Sequence, residues 1–540
     1  MANFYRAAQH LRHTLRLAAR LAPAVVAVVL LAAAGSLSAS EAPLRTDDTK
    51  GPAFEVTCTK AVAKGPVSTR VYVMLGPAGS SAEPRLGPNW FRPQPFFAVD
   101  ARNWRPGQPL RIDASVTGFP APLDRIKPGK YAAQAVVRLN LDTHKLGDGE
   151  GNAYGPVVEV DIDAARTEPI ALAVDRLVPP RRFPESERIR LVELPSPKLS
   201  AFYGRPIKHR AAVILPKDMA GVEHPARRPA LYIIPGFGGD HFMAPRYADN
   251  PRVRMGNDLV RILLDPDCGT GHHVFADSAT NGPRGAALVE EFIPHLEKTL
   301  PLVAAPRARL LTGHSSGGWS SLWLQVTYPD TFGGTWSTSP DPVDFRDFQR
   351  IDLYAPGENM FRDREGKRRP IARMGRIPAL WYDDFSRMDD VIGWGGQLGS
   401  FEAVFSPRDA AGRPRRLWSR STGAIDPAVA HAWEAYDIRL VLERNWPTLG
   451  PKLKGKLRVI TGDVDTFYLE GAVKRLKESL ERLGSDAVVE IIPNRDHGTV
   501  LEPALVKRLD REMNAKVAEW LPRPAGEPAG RDPGSARSLR

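Results

Sequence analysis

The sequence predicts an α/β protein in two parts: an all-β sandwich at about 45–183, then a mixed, mostly parallel sheet with helices on both faces at about 184–521. Three observations carry this reading. Residues 50–180 hold short period-two apolar runs, broken by Gly/Pro turns and free of helical period. Beyond residue 190, short wholly apolar runs alternate with helical stripes, as buried parallel strands and their crossover helices do. Between the two parts, Pro179-Pro180-Arg181-Arg182-Phe183-Pro184 reads as a linker.

The N-terminus comes first. A basic stretch ends at Arg20, an apolar run follows from Leu21 to Ala34, and the small residues Ser38 and Ser40 suit a cleavage site. Residues 1–40 therefore read as a secretory signal peptide, and the chain as exported, periplasmic or secreted. About 14 apolar residues fall short of the ~20 that span a bilayer, so no stable membrane anchor is expected after cleavage.

Within the first part, Val158, Val160 and Ile162 alternate with Glu159, Asp161 and Asp163 as a half-buried strand. Ala133, Ala135, Val137, Leu139 and Leu141 form one face of another, and Thr69–Leu75 and Leu110–Ala114 are further candidates. In the second part, Arg190–Leu194 and Ala211–Leu215 read as a strand pair that opens a new sheet. Ala230–Ile234 and Val260–Leu264 read as fully buried parallel strands, and Arg309–Thr312, Leu457–Thr461 and Val488–Ile492 as further short strands. Helices are expected around Leu288–Leu296, where Pro294 should kink or end the helix, and at Gly318–Val326, Gly471–Leu483 and Leu501–Leu521. Between 340 and 456 the periodicity is lost, and this stretch holds five of the eleven tryptophans: Trp381, Trp394, Trp418, Trp433 and Trp446. Such an irregular insertion reads either as a lid presenting tryptophans to substrate or as a structural cap. Residues 522–540, rich in Pro, Gly and Arg, read as a disordered tail.

The net charge of +12 excludes less than it suggests. Half the excess lies at the ends, in Arg6, Arg12, Arg16 and Arg20 and in the last twenty residues. No basic stripe interleaved with aromatics appears, so no nucleic-acid partner is expected. Cys58 and Cys268, the only cysteines, lie far apart and read as two isolated thiols. Neither they nor the histidines have zinc-ligand spacing, so no metal or other cofactor is implied.

Chemistry enters at Gly313-His314-Ser315-Ser316-Gly317. A G-x-S-x-G between a strand and a helix puts a serine at the tip of a turn too tight for side chains at its flanks. The pattern alone is weak; the strand before it and the helix after it give it meaning. Ester chemistry then needs an oxyanion hole. One donor is the amide of Ser316, and the other comes from the loop Pro235-Gly236-Phe237-Gly238-Gly239, with the Phe237 amide preferred and Gly238 the alternative. The base and its orienter should follow in chain order. His497, just past the strand ending at Ile492, is the candidate base, and both Asp463 and Asp465 qualify on spacing as the acid. With no third ligand nearby, the two carboxylates do not make a metal site.

Taken together, these pieces resemble the “Putative esterase” branch of the α/β hydrolases, which includes esterase D, enterochelin esterase and feruloyl esterases. The resemblance rests on Ser196–Ser200, Phe275–Ser278, Asn281-Gly282-Pro283, Glu291–Pro294, Gly313–Trp319, Tyr328-Pro329-Asp330 and Gly462–Phe467. It covers about 190–340 and 455–520, and the insertion departs from it. It implies a twisted mixed sheet with the serine at its centre, and Asp465 rather than Asp463 as the acid. A sandwich ahead of such a domain is similar to the layout of enterochelin esterases. The expectation is an exported serine esterase, with Ser315, His497 and Asp465 as triad, acting on a small-molecule or sugar-linked ester. The alternatives are an acyltransferase with the same triad and a catalytically silent binding or scaffold protein.

Overall fold

The computed structural model describes residues 51–521 apart from Ala164; the expected signal segment and tail lie outside these residues. Residues 54–177 contribute strands and short 3-10 turns to two sheets, one of three strands and one of seven. Alternation along Val67–Pro77 explains how they stack. Val71, Val73 and Leu75 point into a core shared with Phe54, Val56 and Leu172 of the smaller sheet. Tyr72 and Met74, on the opposite face, pack instead with Trp319, Phe385 and Val391 of the second half. The strand Val67–Pro77 is thus buried on both faces from Val71 to Gly76.

The strand Gly129–Val137 stops earlier than expected: Leu139 is only half-buried and Leu141 is exposed, because the chain turns away after Val137. The Asn152 side chain then accepts hydrogen bonds from the backbone of Leu139 and Asn140.

The second half is built on eight strands: β1 (Ile189–Pro195), β2 (Lys208–Ile214), β3 (Ala230–Ile234), β4 (Val260–Leu264), β5 (Arg309–His314), β6 (Gly334–Thr338), β7 (Leu457–Gly462) and β8 (Val488–Ile492). Their order is β1-β2-β4-β3-β5-β6-β7-β8. The β1–β2 and β2–β4 pairings are antiparallel, and the remaining five are parallel. β3, β4 and β6 are buried along their whole length, Arg261 of β4 included. Around Pro294 the helix loosens into a π turn at Leu288–Phe292, where the missing proline N–H removes an intrahelical partner.

The insertion is not irregular. It holds the hairpin Pro370–Met374/Ile377–Trp381 and four helices, α1 (Tyr382–Ile392), α2 (Gln397–Phe405), α3 (Pro427–Trp433) and α4 (Ile438–Leu453). Helical period is faint here because α2 is buried from Leu398 to Phe405 on every side, and α4 contains Pro447 and Pro451. Cys58 and Cys268 are both buried and free. Among the described residues no helix is long and apolar enough to cross a membrane.

Candidate active site

β5 ends at His314, and the next helix begins at Ser316. Ser315 sits at the junction with φ 61° and ψ −127°, a conformation that costs a non-glycine residue of order 1–3 kcal/mol. The neighbours hold it there. Its N–H donates to Thr338 O at 3.0 Å, and its carbonyl accepts from Trp319 N–H at 3.0 Å. Neither flanking glycine can change: a Cβ on Gly313 would lie 2.1 Å from Gly317 O, and one on Gly317 1.9 Å from Ile234 O. The turn closes because both positions are bare.

Ser315 and His497 line one cavity of about 630 Å³, together with Phe237 and its neighbouring glycines. His497 Nδ1 lies 2.8 Å from Asp465 Oδ2, and Asp465 is fully buried. The second Asp465 oxygen accepts from Phe467 N–H at 2.9 Å, which sets the carboxylate's orientation. The insertion hairpin braces this loop, since Arg373 Nε donates to Asp465 O at 2.9 Å. Asp463 faces elsewhere and accepts from Asn494 N–H at 2.6 Å.

Electrostatics follow from burial. Desolvation alone would depress the His497 pKa, but the charge and hydrogen bond of Asp465, with Asp341 behind it, raise it above the ordinary histidine value. Burial would raise Asp465, and His497 outweighs it, so the carboxyl stays below its usual range. The His314 ring lies tilted against His497 at 4.5 Å between ring centroids and is pushed down to about 3 by burial and by the His497 charge, so it is neutral.

The loop 235–239 is anchored from below by His272. Its Nδ1 accepts from Val274 N–H, which leaves Nε2 to donate to Pro235 O at 2.9 Å. Burial pushes this histidine down to about 4 and keeps it neutral.

Two features escaped the sequence reading. Asp341, just past β6, is buried on the cavity wall, and its Oδ2 accepts from the Ser316 hydroxyl at 2.5 Å. Desolvation, partly offset by that hydrogen bond, raises its pKa to about 6. Trp90, from the strand-rich half, also lines the cavity and meets Phe237, Phe385 and Phe467 at centroid distances of 5.8, 5.2 and 6.3 Å. No motif marks either residue.

The insertion does line the cavity, through Ile371, Leu380, Phe385, Leu398 and Phe401. Its five tryptophans are not among the lining residues, contrary to the expectation of a tryptophan lid. Trp418 and Trp433 are buried instead, donating their indole N–H to Ser386 and Ser406. Among the described residues, no cluster of three or more His, Cys, Asp or Glu suits a metal ion.

The family model described as “Putative esterase” matches residues 279–440. No curated protein sequence matches this chain. Among solved structures, the chain is similar to a fluorophosphonate-binding serine hydrolase of Staphylococcus aureus, with 16% identity and a TM-score of 0.38 over 61% of this chain and 99% of that one. It is similar to an S-formylglutathione hydrolase from Agrobacterium tumefaciens, with 13% identity and a TM-score of 0.37 over 62% and 95%. A ferulic acid esterase from Anaeromyces mucronatus matches with 13% identity and a TM-score of 0.31 over 61% and 93%.

Proposed function

We propose that this serine hydrolase of the “Putative esterase” branch cleaves a carboxylic ester through an acyl-enzyme formed on Ser315. His497 takes the serine proton through Nε2 and returns it to the leaving alcohol. Asp465 holds the imidazole in that tautomer and stabilises the imidazolium. The amides of Phe237 and Ser316 receive the negative charge that develops on the carbonyl oxygen. Water then repeats the attack, and the acid is released. The observation that carries this reading is the strained Ser315 in one cavity with a histidine bonded at 2.8 Å to a fully buried aspartate.

The architecture read here is an α/β-hydrolase sheet preceded by a β-sandwich, in a chain exported by its first 40 residues. N-terminal sequencing of protein recovered from outside the cytoplasm tests the export, with a start near residue 41 expected and an intact Met1 against it.

Replacing Ser315 with alanine should lower hydrolysis of an aryl ester by at least ~10³-fold and abolish fluorophosphonate labelling, with the fold retained. A variant keeping a tenth of wild-type turnover sinks the assignment. Transfer of the acyl group to an added alcohol faster than to water would make the protein an acyltransferase instead.

A further inference from the structure

Among the described residues, two arginines on the wall of the catalytic cavity have no carboxylate of their own. Arg246 lies on the short helix Ala244–Asp249 and Arg252 on the loop beyond it; both are exposed and both line the cavity. The acids of that stretch are engaged elsewhere. Asp240 holds Lys145 and Arg181, and Asp249 faces Arg188 at 3.9 Å. Among the described residues neither Arg246 nor Arg252 has an ion pair. Asp341 is the one carboxylate among the described lining residues, and it is buried against the Ser316 hydroxyl.

Arg246 also acts close to the reacting centre, since its charge helps to depress His314, the ring tilted against His497. Much of the remaining wall is apolar, formed by Trp90, Ile371, Leu380 and Phe385, with uncharged polar groups at Asn250, Gln349 and Gln397. Apolar walls focus the field of a charge near the opening, so two guanidinium groups there favour an anion over a neutral group of the same shape. Guanidinium forks suit carboxylate and other oxyanions in particular. A wholly neutral ester would leave both unmatched.

We infer that the ester carries an oxyanionic group, a carboxylate or its equivalent, held by Arg246 and Arg252 while the scissile carbonyl meets Ser315. This inference rests on the esterase reading above. Two matched pairs test it with the full chain: 4-nitrophenyl hemisuccinate against 4-nitrophenyl butyrate, and 3-carboxyphenyl butyrate against phenyl butyrate. The first pair puts the charge on the acyl side, the second on the alcohol side.

In at least one pair the anionic ester should be favoured by about ten-fold or more in kcat/KM at low salt, and that preference should shrink in about 0.5 M NaCl. The double variant Arg246→Gln/Arg252→Gln should lose the preference, its kcat/KM falling about ten-fold further for the anionic ester than for the neutral partner. No preference in either pair overturns the inference, as does a double variant that keeps the preference or slows both members alike. Neutral-ester hydrolysis that depends on Ser315 but ignores charge sinks this inference alone. Absence of Ser315-dependent hydrolysis of all four esters sinks the esterase reading, and this inference with it.

Discussion

Asp463 and Asp465 stand two residues apart on one loop and meet different partners. Only Asp465 reaches His497, whereas Asp463 receives a backbone N–H from Asn494. Asp465→Asn should therefore cost several orders of magnitude in turnover, by the loss of tautomer control, and Asp463→Asn ten-fold or less. Steady-state rates of the two variants decide, and the reverse ranking would move the acid to Asp463. Asp341 makes a subtler demand. His497 accepts a proton only when neutral, so the rate should climb as pH rises through its raised pKa. Asp341, with a pKa of about 6, is charged in that range and is one of the groups raising His497. Asp341→Asn removes that charge, so the acid limb of the pH–rate profile should move to lower pH. A limb that stays in place while kcat falls would restrict Asp341 to supporting Ser316. Spacing pointed to Ser315, His497 and the acid loop because each follows a readable strand. Asp341 was illegible because its importance comes from a hydroxyl contact made only after β5 and β6 have paired.

Among the elements, the buried strands were the most legible. β3 and β4 coincide with the runs read directly from Ala230–Ile234 and Val260–Leu264. A strand enclosed on both sides has no polar face to blur its ends. The insertion was illegible for the converse reason: α2 has no polar stripe, and α4 carries two prolines that argue against a helix. Its tryptophans misled because their size suggested ligand contact, while Trp433 packs against Phe345, Phe348 and Phe405. Two kinds of substitution separate these roles. Trp433→Ala should destabilise the protein by about 3–5 kcal/mol in denaturant unfolding. Trp90→Ala or Leu380→Ala should instead change discrimination within a panel of aryl and alkyl esters by ~1–3 kcal/mol in transition-state binding. A panel that reorders with Trp433→Ala but with neither of the others would restore the tryptophan lid.

On the scale of the whole molecule, the two halves read from the sequence are joined by more than a linker. The Tyr72 hydroxyl donates to Ile392 O at 2.7 Å, Arg70 reaches the carbonyls of Asp390 and Val391, and Tyr72, Phe96 and Val136 share a core with Trp319 and Phe385. Unfolding either half would strip apolar surface from the other. Calorimetry should therefore give one transition whose calorimetric and van't Hoff enthalpies agree, and two resolved transitions would contradict a shared core. A chain started at residue 184 should aggregate when expressed, and a soluble, probe-reactive fragment would show that the second half stands alone. Trp90 has a practical consequence for anyone redesigning this enzyme. It lies between the strands Val67–Pro77 and Phe96–Trp104, far upstream of every residue a motif search would select. A mutant library restricted to residues beyond 183 would leave Trp90 untouched, so selections for new esters should include position 90 from the first round.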